Sequence, residues 1–299
     1  MGLLHSLVVS TLPLLPNALM RALSNRYIAG EALEDALVRL RSLRDRGYTG
    51  ILDILGEDVA DAAEARAVMI AYRDAADALQ AEGLDAYVSV KPTHLGLRES
   101  EELAYELYLE LAHHCRELGL FVRVEMEDHT TTDATIRIFE RLRAEVDNVG
   151  IVLQSRLFRT EADIDGLAAG DLSVRMVKGV YLEPAEIAHT EPDPIRTAFL
   201  ERTRQLFRRG AYVSLATHDD VLAEDLFRIC REEGVGTDRY ELQVLLGVRE
   251  WLWEKWKAAG HPVRVYVPYG PEWRAYSTRR LRKNPELLRA VMLSFLGKK

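Results

Sequence analysis

The chain has 299 residues, 48% of them apolar, and 39 basic against 47 acidic side chains leave a net charge of −8. That length admits one large α/β barrel or two ordinary domains. The acidic balance argues against a nucleic-acid binder, which carries cations in excess, but leaves room for a local basic pocket around a small anion.

Two cysteines, Cys115 and Cys230, stand far apart. No disulfide framework is expected, and the compartment reads as reducing, the cytoplasm. The stretch 1–20 is apolar with no Lys or Arg before Arg21, so it lacks the basic start of a signal peptide. Pro13 and Pro16 interrupt any spanning helix. Residues 1–30 are therefore read as a helical docking arm, with peripheral contact at the inner face of a membrane as the alternative.

Apolar residues Leu33, Leu37, Leu40 and Leu43 at helical spacing predict a helix over 31–46, stopped by Gly47. A buried strand follows at 50–55. Alanine-rich helix over 61–82 leads to a second strand at 86–91, and helix over 101–118, ended by Gly119, to a third at 120–128 with an acidic exit. Then come a helix over 132–144, a strand at 149–154, a helix over 161–169 and a strand at 173–179. Helix 193–209 precedes strand 212–218, helix 221–233 precedes strand 240–245, and helix 249–260 precedes the eighth strand, 263–267. Pro268 and Gly270 are expected to end it, with Pro271 opening a last helix that Asn284-Pro285 closes.

Eight strand–helix alternations with short connections predict an α/β fold, a (β/α)8 barrel over residues 31–299 preceded by the arm. An open doubly wound sheet usually carries a glycine-rich phosphate turn after its first strand, and no such pattern occurs. A barrel of this kind places its active site at the C-terminal ends of the strands. Polar residues collect there: Asp53 and Glu57, Lys91, Glu125, Gln154, Arg175 and Lys178, Thr217 and His218, Gln243, Tyr266. Buried charges need partners, and Lys91 with Glu125, on neighbouring strands, is the expected pair. Arg279 and Arg280, in the last turns of the final helix, could fork onto a carboxylate.

Consecutive helix residues point about 100° apart, so His113-His114-Cys115 is not expected to converge on a metal. Trp251, Trp253 and Trp256 are read as packing, and Tyr276, four residues before Arg280, as a support for that arginine.

The chain resembles the proline dehydrogenase family of flavoenzymes, in its short monofunctional bacterial form. The resemblance runs through Arg26-Tyr27-Ile28-Ala29-Gly30-Glu31, Leu52 to Glu57, Ser89-Val90-Lys91, Glu125-Met126-Glu127-Asp128, Val152 to Ser155, Arg175 to Tyr181, Ala216-Thr217-His218-Asp219 and Tyr266 to Leu281. It implies FAD on a distorted barrel, oxidation of L-proline to Δ1-pyrroline-5-carboxylate by hydride transfer from C5 to flavin N5, and a membrane quinone as acceptor, with no metal. Arg279, Arg280 and Lys91 then match the substrate-carboxylate contacts, and Tyr266, Tyr181 and Leu245 the wall around the proline ring. Arg175 matches the arginine beside N5. Met126, Gln154, Lys178, Gly179, Val180, Thr217 and His218 match cofactor contacts, and Glu57 the acid that gates the pocket with Arg279.

Glu125, Arg175 and Tyr266 form the catalytic set in this reading. The chain departs from the family twice: Glu125 stands where an aspartate is expected, and Lys283 where a glutamate is. Two other functions fit the residues alone, a Schiff-base lyase using Lys91 or Lys178 and a non-catalytic proline-binding sensor.

Overall fold

Eight parallel strands close on one another in chain order, each hydrogen-bonded to the next and the last to the first. The computed structural model describes residues 20–21, 24–168 and 170–283, without the side chains of 279–283. The strands are β1 (Thr49–Ile54), β2 (Ala86–Val90), β3 (Val122–Val124), β4 (Val149–Gln154), β5 (Ser173–Val177), β6 (Tyr212–Ala216), β7 (Tyr240–Leu245) and β8 (Val263–Tyr269). Between them run α1 (Leu33–Asp45), before β1, then α2 (Ala62–Ala81), α3 (Glu101–Glu117), α4 (Thr132–Glu145) and α5 (Thr160–Gly166). The rest are α6 (Pro192–Arg208), α7 (Asp220–Glu232), α8 (Glu250–Ala258) and, after β8, α9 (Trp273–Lys283). The expected (β/α)8 fold is what forms.

Side chains alternate between the two faces of a strand, and the alternation decides where the core sits. Leu52, Val88, Val124, Ile151, Val174, Leu215, Leu242 and Val265 are fully buried and face the helices, whose apolar stripes (Leu37 and Leu40 on α1, Tyr72 and Leu79 on α2, Leu107 and Leu111 on α3) complete the layer. Burying one such side chain contributes roughly 1.5–3 kcal/mol. The opposite face points into the barrel and is largely polar. Arg175 on β5 reaches Ser89 on β2 and Gln243 on β7, contacts possible only across the interior. Branched apolar residues usually fill that space; here charges, amides and tyrosines do.

Gly150 shows the cost of that choice. A Cβ there would lie 2.3 Å from Arg123 Nη1 and 2.6 Å from the Ser173 carbonyl oxygen. The missing side chain is the room the Arg123 guanidinium occupies.

Helix starts follow the sequence closely. Asp61, Ser100 and Asp219 each accept a bond from the backbone N–H three residues on, satisfying donors the first turn leaves open. Three expectations are corrected. The third strand is only Val122–Val124, because Glu127 turns away to accept from Thr93 N (2.9 Å) and Thr93 Oγ1 (2.8 Å). Pro268 does not end β8, which runs on to Tyr269 paired with β1. By alternation Pro268 faces the side β7 has left, where its missing N–H forfeits no ladder bond and its carbonyl accepts from Ala29 N at 2.9 Å. The last helix begins at Trp273, two residues after Pro271.

Of the expected arm, residues 1–19, 22 and 23 lie outside the described residues, as does Asn284-Pro285. The segment from Ser24 lies against α9, with Ser24 Oγ donating to Ser277 Oγ at 2.6 Å, both buried. Trp253 and Trp256 are core residues as expected, but Trp251, expected to pack with them, is 59% exposed. His114 pairs with Asp77 at 2.7 Å and Cys115 is buried. Among the described residues no helix is long and apolar enough to cross a membrane.

Candidate active site

The strand ends enclose a cavity of about 430 Å³. Its floor is built from inward positions of the strands. Asp53, Lys91, Glu125, Arg175, Gln243 and Tyr266 all line it. Met126, Gln154, Lys178, Gly179, Val180 and Tyr181, at or after the ends of β3 to β5, continue the lining, followed by Thr217 and His218 after β6, Leu245 of β7 and Tyr276 of α9. Glu57 lies in an adjoining cavity that shares Lys91 and Tyr276 with the first. The side chains of Arg279 and Arg280, and of Lys283, lie outside the described residues.

The expected pairing of Lys91 with Glu125 is not the one formed. Lys91 Nζ instead donates to Asp53 at 3.1 and 3.4 Å, and Glu125 takes Arg175. The register explains it. Val124 pairs with Ile151 and Val152 with Arg175, so Glu125 and Arg175 stand at one level with only Val152 between them, and the guanidinium spans that gap. Glu125 Oε1 also accepts from Ser89 Oγ at 2.5 Å and from Tyr266 Oη at 3.2 Å. Lys91 is left to the carboxylate on its other neighbour, β1.

Burial disfavours each of these charges, and the partners decide the outcome. Burial opposes the Arg175 cation, yet Glu125 outweighs it and the guanidinium is held charged. Burial likewise raises Glu125, while Arg175, Ser89 and Lys91 together bring its carboxyl below the ordinary value. For Lys91 burial is overcome by Asp53 and then Glu125, so its ammonium persists above the usual lysine range. A lysine held that way is a poor Schiff-base nucleophile, which needs the neutral amine. Tyr266 is pushed well above its ordinary range, first by burial and then by Asp53 and Glu125.

At this cavity Arg175 Nη2 and Gln154 Oε1 are buried with no hydrogen-bond partner among the described residues. Leaving such groups unpaired costs roughly 1–3 kcal/mol each, so a polar ligand placed against them is favoured. Gly179 has φ +98°, and a Cβ there would come within 2.7 Å of Gln154 Oε1. Backbone thus stands close beside the open amide. The remaining lining includes Val152, Val177, Ala216 and Val244. An apolar slot rimmed by one cationic donor and one amide suits a flat heteroaromatic ring with its own donors and acceptors, and the residues fit a flavin.

Neighbouring residues brace the rim. Asp219 receives Lys178 Nζ at 2.6 Å and Arg196 Nε at 2.7 Å while capping α7. Burial alone would raise its carboxyl, but those two bonds bring it to about 2. His218 Nε2 accepts from Leu245 N at 2.9 Å, which places a neutral ring's proton on Nδ1. Sequence reasoning set Asp53 and Gln243 at strand ends without giving them a role; inward parity with Lys91 and Arg175 was the available signal. His94, buried beneath the adjoining cavity, carried no signal.

A family model described as proline dehydrogenase matches residues 36–289. The chain is 35% identical to a proline dehydrogenase of Deinococcus radiodurans over 268 residues, 88% of this chain and 86% of that one. It is 31% identical over 265 residues to proline dehydrogenase 2 of Bacillus subtilis strain 168, covering 89% of this chain and 88% of that one. Its fold is similar to a crystal structure of proline utilization A from Bdellovibrio bacteriovorus inactivated by N-propargylglycine. The TM-score is 0.82 at 22% identity, over 90% of this chain and 34% of that much longer one. With the model spanning most of the barrel and relatives matched nearly end to end, the chain belongs to the proline dehydrogenase family.

Proposed function

We propose that this chain oxidises L-proline to Δ1-pyrroline-5-carboxylate with FAD bound at the strand ends, the electrons passing on to a quinone. The observation that carries the reading is the open edge of Arg175 in a cavity whose other charges are already paired. It is supported by membership of a family whose named members are proline dehydrogenases.

Arg175, Gln154, Lys178, Gly179, Val180, Met126, Thr217 and His218 would hold the flavin, which when bound supplies the acceptor for a hydride leaving the substrate's ring carbon. Arg175, held as a permanent cation, would stabilise negative charge on the flavin that these residues hold. Tyr266, Tyr181 and Leu245 present a wall to the proline ring. Lys91 offers a cation to its carboxylate, and Arg279 and Arg280 are assigned to the same carboxylate, with Glu57 and Arg279 as a gate. A fixed cationic clamp orients a small zwitterion and disfavours its ammonium form, easing loss of the amine proton before the hydride leaves. Residues 1–30 are assigned as a helical docking arm, and any membrane contact as peripheral.

The test is anaerobic bleaching of flavin absorbance by L-proline, with Arg280→Ala alongside. The wild type should arrive yellow and bleach; the variant should keep its flavin and need more proline. A protein that takes up no FAD, or whose flavin stays oxidised under proline, refutes the reading.

A further inference from the structure

Beneath the cavity, and not itself among the residues that line it, Glu241 is 4% exposed and belongs to a chain of bonds along the barrel axis. Arg264 Nε donates to Glu241 Oε2 at 2.9 Å, and Arg264 Nη1 to Asp85 Oδ1 at 3.0 Å. Glu241 Oε1 accepts from Gln243 Nε2 at 2.6 Å and from Ser214 Oγ at 3.2 Å. Gln243 Oε1 accepts from Arg175 Nε at 2.5 Å. We infer that Glu241 is a positioning residue for Arg175, acting through the direction of the Gln243 amide.

An amide's two ends are nearly the same shape, so its neighbours decide which way it points. Gln243 lies between a carboxylate, which only accepts, and a guanidinium, which only donates. One orientation alone satisfies both, and Tyr87 Oη, 2.7 Å from Nε2, is compatible with it. The guanidinium is planar, so fixing two of its nitrogens fixes the third. Gln243 holds Nε, while Glu125 and Ser89 Oγ (3.3 Å) hold Nη1. Nη2 is thereby directed as the open edge. In Glu241→Gln the single amide oxygen is claimed by Arg264 Nε, which turns the new NH₂ toward the NH₂ of Gln243, so Gln243 can no longer satisfy position 241 and Arg175 at once. Turned over, its NH₂ faces the Arg175 Nε–H, donor against donor, and the anchor is gone.

The consequence for proline oxidation rests on the proposed function; the positioning itself does not. The test reads solvent exchange of the Arg175 Nε–H by ¹H–¹⁵N NMR on the protein as purified, assigned through Arg175→Lys. Glu241→Gln should speed exchange at least 10-fold. Arg264→Gln breaks the same ion pair but keeps the carboxylate, so it should lower the thermal midpoint while exchange stays within 2-fold of wild type. Should Glu241→Gln not fold, Gln243→Met carries the test with the same expected acceleration. Protection retained in the folded Glu241→Gln, or in Gln243→Met, or lost equally in Arg264→Gln, overturns the inference. A flavin that proline does not bleach in the wild type would sink the function and leave this result standing.

Discussion

His94 should make the protein lose stability on mild acidification. The ring is 7% exposed, its Nε2 lies against the backbone of Gly56, and Nδ1 has no partner among the described residues. Burial, and then the Lys91 ammonium, lower its pKa from 6.5 to about 4. The folded chain therefore keeps the ring neutral where the unfolded chain protonates it. A base with a depressed folded value contributes stability above pH 6.5, and that contribution drains away as pH falls toward 4. For one site with these two values the loss between pH 7 and pH 5 is about 2 kcal/mol, which corresponds to roughly 4 °C of thermal midpoint for a chain of this size. His94→Gln removes the titration while keeping a polar side chain of similar reach. Scanning calorimetry of both proteins at pH 7 and pH 5, at one fixed FAD concentration, separates this residue from every group the two share. The wild type should lose roughly 4 °C more than the variant. Equal losses would refute the reasoning, because the ring would then carry its proton in the fold.

Three further outcomes are expected. Glu125→Ala strands the buried Arg175 and should cost about 3–5 kcal/mol; adding Arg175→Met should recover part of it, and simple additivity in denaturant unfolding would count against a coupled pair. Gly150→Ala should destabilise by about 1–3 kcal/mol through crowding of Arg123, a loss that Arg123→Met in the same chain should reduce. Asp219, at about 2 in the fold against 3.8, contributes stability above pH 3.8 that is lost as pH falls toward 2. Asp219→Asn should therefore reduce the fall in unfolding free energy from urea titrations between pH 4 and pH 2.5 by about 1 kcal/mol once solvent screening is allowed for, and an unchanged slope would place the Lys178 and Arg196 bonds elsewhere.

Strand positions were legible because each apolar alternation is bounded by glycine or by a capping residue, as at Gly47, Asp61, Ser100 and Gly119. What the alternation could not reveal was which charges pair. Lys91 has acidic neighbours on both sides, Asp53 and Glu125, and sequence adjacency does not choose between them. The choice is made by a third group, Arg175, two strands from Glu125. It becomes visible only when register sets Glu125, Val152 and Arg175 at one level. Pro268 was misread for a related reason. A proline ends a strand only if its missing N–H had a partner, and at that height β7 has already left the sheet. His94 belongs to a turn whose chemistry is local, so nothing in its spacing marks it.

The polar interior also bears on why the Arg175 cation sits mid-strand. A loop arginine is cheaper to hydrate but free to move, whereas a strand position fixes direction at the expense of desolvation. Here the desolvation is offset by Glu125, and the direction is set by Gln243 and the carboxylate below it. Gly150 follows from the same decision, since guanidinium groups inside a barrel displace the branched side chains that would otherwise fill it. Replacing Glu125 and Arg175 together by apolar side chains that fill the same volume should thus match or raise the stability and leave the cavity without a directed donor. Stability and site geometry are opposed at Arg175, and the layers beneath it hold the balance.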